Sequence, residues 1–347
     1  MSNHGDAADH GHWGPPFLLY LGRAPDDLAI KTARGLAYWR PEWCLGQYRS
    51  PGCHLTLGLP DMEPARAKAA GVNTMVIGTA SAGGVMARET VADIIAALDA
   101  NLNVISGLHE KLRGNADIVA AAKRNGRTLF DAREYTKRIP VGTGRKRAGQ
   151  RLLTVGTDCS VGKMYSTLAI ERSMRKRGLK ADFRATGQTG IFIAGSGIPV
   201  DAVIADFISG AVEMISPARE DGGWDLIEGQ GSLFHPSYAG VSLGLLHGAQ
   251  PDALVLCHEL TRRHMRGLPA SPLPDLERCL EANLTAARLT NPKVKAVGVA
   301  LNTSNVSAQE ARAACREIGE RLGLPCEDPV TMGVEFIVDN LLSCCAH

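Results

Sequence analysis

From Asn73 onward the chain alternates between short apolar runs and segments whose apolar residues recur at three- and four-residue spacing. NTMVIGTA (73–80) and NLNVISG (101–107) read as strands, and ETVADIIAALDA (89–100) between them as an amphipathic helix. GNADIVAAAKRNG (114–126) supplies a further helix, with an N-terminal Asn and a glycine stop. Strand and helix alternate, which predicts a parallel sheet covered by helices. After Phe130 the segment DAREYTKRIPVGTGRKRAGQ is polar, basic and glycine-containing, and reads as the connection between two domains. The second half opens with RLLTVGTD, a short strand running into a glycine loop, followed by KMYSTLAIERSMRKRG as a helix closed by Gly178. ADFRATG, DLIEGQG, DALVLCHE and AVGVALNTS are further buried-strand candidates, each followed by small or polar residues suited to the carboxyl edge of a sheet. PDLERCLEANLTAARLTN and SAQEARAACREIGERLG carry their apolar residues on one helical face. No repeat of about 20 to 50 residues and no long low-complexity segment interrupts the pattern. The second half is therefore expected to be a doubly wound α/β domain.

The length of 347 residues exceeds one comfortable core and implies two domains. Hydrophobic residues at 45% with charged residues at 21% exclude a disordered chain. The formal charge is only +2, and basic residues are scattered apart from Lys137 to Arg147 and Arg172 to Lys180. That distribution lacks the continuous positive footprint that nucleic acid demands. Nine cysteines form an odd set without a CxxC pair, which argues for reduced thiols in a cytosolic protein rather than disulfides or a zinc ribbon. The N-terminus MSNHGDAADHGHWGPP has no signal-peptide character, and no apolar stretch reaches the roughly 18 residues of a membrane span. His4, His10 and His12 offer metal ligands, but their Gly- and Asp-containing surroundings read as a mobile end.

GTDCSVGKM, from Gly156 to Met164, carries the clearest chemistry. Gly156, Gly162 and Lys163 fit a loop that wraps backbone N–H groups around an anion and sets it at the positive end of the following helix. Five residues separate the glycines instead of the usual four, and counting from Thr157 restores the spacing. Met164 stands where such loops carry Ser or Thr, and a thioether does not replace the hydroxyl that holds Mg²⁺. Ser166, Thr167 and Asp158 are the nearby oxygen-bearing residues, the first two at ordinary packing or capping positions of a helix. A diphosphate bound without chemistry at phosphorus needs only the amides and Lys163, and coenzyme A carries such a group. Cys159 invites a nucleophilic role at a helix start, yet no sequence-adjacent histidine supports it and packing is the favoured reading.

Other candidates fall at strand ends. Glu228, after Leu226 and Ile227 and before Gly229 and Gly231, is a metal ligand, a general base for an amine, or a capping residue. His235 is a proton carrier or a loop histidine bonded to backbone. His258 and Glu259 end a strand that leads into Arg262, Arg263, His264 and Arg266, a cluster suited to a carboxylate or phosphate, or else a solvated basic turn. ATGQTGIFIAGSG, from Ala185 to Gly197, offers small residues that permit close backbone approach to a ligand.

Together GTDCSVGKM, ATGQTGIFIAGSGIPVDAV, DLIEGQGSLFHPSYAGVSLGLLHG and PDALVLCHELTRRHMRG resemble a prokaryotic P-loop family long labelled a domain of unknown function, whose characterised activity is D-glutamate N-acetyltransferase. The resemblance implies a Rossmann-like N-terminal domain and a P-loop domain with a parallel sheet, related in form to dethiobiotin synthetase. It sets expected boundaries of 1–30 for a tail and lead-in, 31–145 for the Rossmann-like domain and 146–347 for the P-loop domain. It implies acetyl transfer from acetyl-CoA, as co-substrate and with no metal required, to the amine of D-glutamate in amino-acid catabolism. In that reading Gly156, Thr157, Asp158, Cys159, Ser160, Val161, Gly162, Lys163 and Met164 hold the coenzyme. Glu228 or His258 takes the amine proton, and chemical inference adds Arg184, Arg262 and Arg263 as ligands for the substrate carboxylates. The expected partners are a small-molecule substrate and copies of the same chain in a homo-oligomer, with neither nucleic acid nor membrane. The alternatives are an ATP- and Mg²⁺-dependent ligase or kinase resembling dethiobiotin synthetase, and a non-catalytic nucleotide sensor.

Overall fold

The computed structural model describes residues 13–79 and 86–345. His4, His10 and His12 lie outside the described residues, as does Ala80 at the end of the first expected strand. The chain divides into two compact units, one comprising the residues up to Thr136 with Ile191–Pro199, the other Lys137–Gly190 with the residues from Val200 onward.

Among the described residues the first unit contains five strands, β1 (Phe17–Gly22), β2 (Cys44–Arg49), β3 (Thr74–Ile77), β4 (Asn103–Ser106) and β5 (Leu129–Asp131). They form one sheet in the order β2-β1-β3-β4-β5 with every neighbouring pair parallel. Strand β1 lies within the residues expected as a tail and lead-in and pairs on both sides. All six of its residues are buried. A parallel strand covered on both faces is a continuous apolar run without alternation, so FLLYLG gave no period to read. The helix at Ala116–Asn125 starts where Asn115 accepts from the amides of Asp117 and Ile118, and stops at Gly126 with φ of 61°.

The second unit continues the numbering with β6 (Gln150–Gly156), β7 (Ala181–Arg184), β8 (Trp224–Ile227), β9 (Ala253–Glu259), an antiparallel hairpin β10 (His264–Met265) and β11 (Leu268–Pro272), then β12 (Lys295–Asn302) and β13 (Cys326–Glu327). Its six-stranded parallel sheet has the order β13-β12-β9-β6-β8-β7. The core packs Leu153, Val155, Leu254, Leu256, Val299 and Leu301 of the sheet against Leu245, Leu246, Leu280 and Ile318 from the helices. The helix at Ala308–Leu322 is held at its start by a reciprocal Ser307–Glu310 capping box. This unit begins earlier than residue 146, since the amides of Thr143 and Gly144 donate to Glu213 at 2.9 Å and tie the connecting segment to it.

After β6 the chain moves first to β7 and β8 on one side, then to β9, β12 and β13 on the other. That reversal puts crossover helices on both faces and opens a crevice at the carboxyl ends of β6 and β9. No helix among the described residues is long and apolar enough to cross a membrane.

Candidate active site

The glycine loop occupies that crevice. It runs from the end of β6 at Gly156 to the helix Lys163–Lys176, with Ser160 at φ of 54° and Gly162 at φ of 105°. Two left-handed residues so close together turn successive N–H groups toward one concavity, the geometry that binds anions. Lys163 is buried, and its Nζ donates to the Asp158 carbonyl at 2.7 Å. Burial lowers its pKa, opposed by the neighbouring Cys159, Cys257, Asp158 and Cys279. The Cys257 and Cys279 thiols are themselves pushed up by burial, to about 11 and about 12, so neither is a thiolate at neutral pH. The Lys163 side chain is thus tied to the loop's own carbonyl.

Behind Met164 the two hydroxyls of the same helix are committed to backbone. Ser166 Oγ donates to the Gly162 carbonyl at 3.0 Å, and Thr167 Oγ1 to the Lys163 carbonyl at 2.8 Å. Thr167 also meets Thr154 Oγ1 at 3.0 Å, and Thr154 accepts from the Gly229 amide at 3.0 Å. These hydroxyls lock the helix to β6 and to the end of β8, as residues that back-bond one turn up a helix do.

Glu228 directly follows β8 and is 4% exposed. Its Oε2 accepts from the amides of Thr186 at 2.9 Å and Gly187 at 3.0 Å, and its own carbonyl accepts from Thr186 Oγ1 at 2.6 Å. The ATGQTG stretch therefore approaches this carboxylate with its backbone, and a Cβ at Gly190 would collide with Oε2. Burial pushes the Glu228 carboxyl up to about 7, against the two amides, which lower it. No arginine or lysine neutralises it among the described residues.

His258, near the end of β9, meets Thr157 Oγ1 through Nδ1 at 3.0 Å. Burial lowers its pKa to about 4, with smaller contributions from the charges of Arg262 and Arg321, so the ring is neutral at physiological pH. His235 is buried, with Nδ1 accepting from the Ser237 amide at 3.2 Å and Nε2 facing the Arg266 carbonyl at 3.3 Å. Both nitrogens are engaged by backbone, the second of the two roles the sequence left open. Asp158, Cys159 and His235 bring potential ligand atoms within 4.8 Å of one another. The carboxylate of this trio is already engaged by three donors, described next.

The arginines fall differently from expectation. Arg262 donates through Nη1 to Asp158 Oδ2 at 2.8 Å and to the Cys159 carbonyl at 2.6 Å, and through Nη2 to the Ser160 carbonyl at 3.3 Å and to Glu259. Asp158 also accepts from the Arg266 amide at 2.7 Å and, through Oδ1, from the Cys159 amide at 2.6 Å. Arg262, expected as a substrate ligand, braces the loop in this structure. Arg184, the second arginine expected at substrate, donates through Nε and Nη2 to fully buried Asp225 at 2.8 and 2.7 Å. Its place in a network with Asp182 and Arg219 follows from the register of β7 on β8, which sets Asp182 opposite Asp225. Arg263 is exposed and makes no side-chain pairing among the described residues. The sequence signal for the clasp was an acidic residue inside an anion loop, which demands a nearby cation, but spacing does not say which arginine supplies it.

A cavity of about 830 Å³ lies at the opposite, amino-terminal edge of this sheet, lined by Lys146, Arg147, Arg219, Trp224 and Asp252 among others. Its charges serve the fold: Lys146 pairs with Asp252 at 2.9 Å, Arg219 with Asp221 at 2.9 Å, and Arg147 donates to the Ser216 and Gly248 carbonyls. The loop edge is the better candidate for function.

The first unit has its own carboxylate at the carboxyl ends of β1 and β2. Asp93, on the helix Arg88–Asp99, accepts from Tyr20 at 2.7 Å, Tyr48 at 2.9 Å and Ser50 at 2.9 Å. Burial raises both phenols, Tyr20 to about 12, with Asp93 adding to the effect.

A parallel sheet whose strand passes through a glycine loop into a helix at the switch point defines a P-loop domain, here joined in one chain to a Rossmann-like one. The two domains of unknown function that make up the DUF1611 family match in the same order, the Rossmann-like domain over residues 49–135 and the P-loop domain over residues 140–338. The chain belongs to the DUF1611 family. The crystal structure of a DUF1611 family protein from Anabaena variabilis superposes with a TM-score of 0.86 at 30% identity, covering 95% of this chain and 99% of that one. Two curated relatives, from Pseudoalteromonas sp. and Tritonibacter scottomollicae, are named D-glutamate N-acetyltransferase. They are 49% and 50% identical to this chain, each across 94% of it and 98% of the relative.

Proposed function

We propose that the chain transfers the acetyl group of acetyl-CoA to the amino group of D-glutamate, with the coenzyme's phosphates held by the loop from Gly156 to Lys163. The observation that carries this reading is a loop that keeps the amide cradle and buried Lys163 while Met164 removes the magnesium-binding hydroxyl and Ser166 and Thr167 are turned to backbone. The names of the relatives at about half identity supply the acyl donor's reaction and the acceptor.

The reaction forms a C–N bond and breaks the thioester C–S bond. Before attack the substrate ammonium loses a proton, and the departing thiolate gains one. Glu228 is suited to the first task, since a carboxyl pushed up to about 7 is partly ionised at neutral pH and holds a proton well enough to accept it from an amine. His258, neutral and bonded to Thr157 Oγ1, is the weaker proton acceptor at the loop, because burial lowers its pKa to about 4. Arg263, unlike Arg184 and Arg262, keeps its guanidinium for a substrate carboxylate.

The test incubates the purified protein with D-glutamate and acetyl-CoA and follows thiol release with and without ATP and Mg²⁺. Release that ignores ATP supports acetyl transfer; phosphate production from ATP without thiol release would sink it in favour of a ligase or kinase. Lys163→Ala is expected to raise the dissociation constant for coenzyme A about tenfold or more, by removing a charged phosphate contact. Unchanged affinity in a folded variant places the coenzyme elsewhere.

A further inference from the structure

A carboxylate is an unexpected component of an anion-binding loop. Asp158 is fully buried one residue before Cys159, and its main-chain carbonyl holds Lys163. Left ionised and unpaired, it would repel any phosphate drawn to the same amides, with little water to screen the repulsion. The structure surrounds it with donors. Oδ1 takes the Cys159 amide, and Oδ2 takes the Arg266 amide and the Arg262 guanidinium. The same guanidinium reaches the carbonyls of Cys159 and Ser160, the groups whose dipoles would otherwise oppose an anion, and is held from behind by Glu259. Arg266 adds a contact to Ser160 Oγ. One arginine therefore engages one carboxylate and two carbonyls of a single turn, a task for a planar fork of donors and not for a lysine.

We propose that Arg262 is a positioning residue that makes this loop competent to bind anions by cancelling the charge of Asp158 and restraining the Cys159 and Ser160 carbonyls. The identity of the anion as coenzyme A rests on the function proposed above; the role of Arg262 does not. The charge argument makes a signed prediction. Removing the arginine uncovers the Asp158 charge and weakens anions. Removing the Asp158 charge leaves the arginine and does not weaken them. Removing both cancels. A clasp that mattered only for shape would lose affinity in all three variants, most in the double.

The experiment titrates pyrophosphate and, separately, coenzyme A into the full-length wild type, Arg262→Gln, Asp158→Asn and the double variant by calorimetry, at low and high salt. Arg262→Gln is expected to weaken pyrophosphate about tenfold or more, a loss that salt reduces because it is electrostatic. Asp158→Asn is expected to bind as tightly as wild type or more tightly, and the double variant to return to within about threefold of it. A double variant weaker than Arg262→Gln overturns the inference. If Arg262→Gln does not fold, Asp158→Asn alone decides, since weakened binding in that variant overturns the charge role. A pyrophosphate cycle that behaves as expected while coenzyme A binds no variant supports the inference and removes the coenzyme reading; a wild type that binds neither probe removes both.

Discussion

Each unit presents a carboxylate at the carboxyl edge of its parallel sheet, and the two are held in opposite ways. Asp93 is gripped by three hydroxyls, one from β1 and two from the end of β2 and just beyond it, so both of its oxygens are bonded. Glu228 receives two backbone amides on one oxygen, and burial drives it up to about 7. Side-chain hydroxyls that converge from β1, from β2 and from just beyond it knit a sheet to a helix. A carboxylate that meets mainly backbone and glycine, with its charge uncompensated, is arranged to gain and lose a proton. The difference sets a carboxylate knotted into the fold apart from the one proposed above to carry the chemistry.

Glu228→Gln tests the comparison most severely. It is expected to lower turnover about a hundredfold or more, the usual scale for losing a general base, while acetyl-CoA affinity holds. In the wild type, turnover is expected to rise with pH and level off above about 7, where the carboxyl is ionised. Stability moves the other way. The folded carboxyl binds its proton more tightly than the unfolded one, so its contribution is complete below about 4.5 and is lost as pH rises through about 7. Glu228→Gln does not ionise, and its melting temperature relative to wild type should improve between pH 5 and pH 8, both nominal values about that window. A constant difference would mean the carboxyl is not raised.

Asp93→Ala should do the reverse. It strands two phenols and a hydroxyl and is expected to cost about 2 to 4 kcal/mol in denaturant unfolding, with turnover per folded molecule retained. Lost turnover at unchanged stability would place chemistry in the first unit and end the contrast. Tyr48→Phe removes a single donor and should cost about 1 kcal/mol, the smallest effect of the set. A much larger loss would show that the knot acts cooperatively.

The parts legible in the sequence were those written locally. The glycine loop, its strand and its helix are contiguous, and Glu228 announced itself as a charged residue at a strand end between apolar and glycine positions. Strand β1 escaped because a doubly covered strand has no alternation, and its position beside a polar N-terminus suggested a lead-in. Arg184 and Arg262 were recognisable as anion ligands but not as whose, since their partners Asp225 and Asp158 are fixed by strand register and by the hairpin following β9. The same holds for Cys159 and His235, whose proximity depends on two loops meeting at one edge. The Asp93 knot draws on Tyr20, Tyr48, Ser50 and Asp93, and no spacing rule links residues so far apart.

The glycines around Glu228 have a consequence for how such a site changes over time. Gly187 and Gly190 bring main chain, not side chain, against its carboxyl oxygens, and a methyl group at Gly190 would overlap Oε2. Burial raises its proton affinity, and the two groups that oppose burial most are main-chain amides, with smaller contributions from Asp201 and Gln230. Part of the acid–base setting is therefore written in the path of the chain, where a change at either glycine reaches it more directly than a change of a distant side chain.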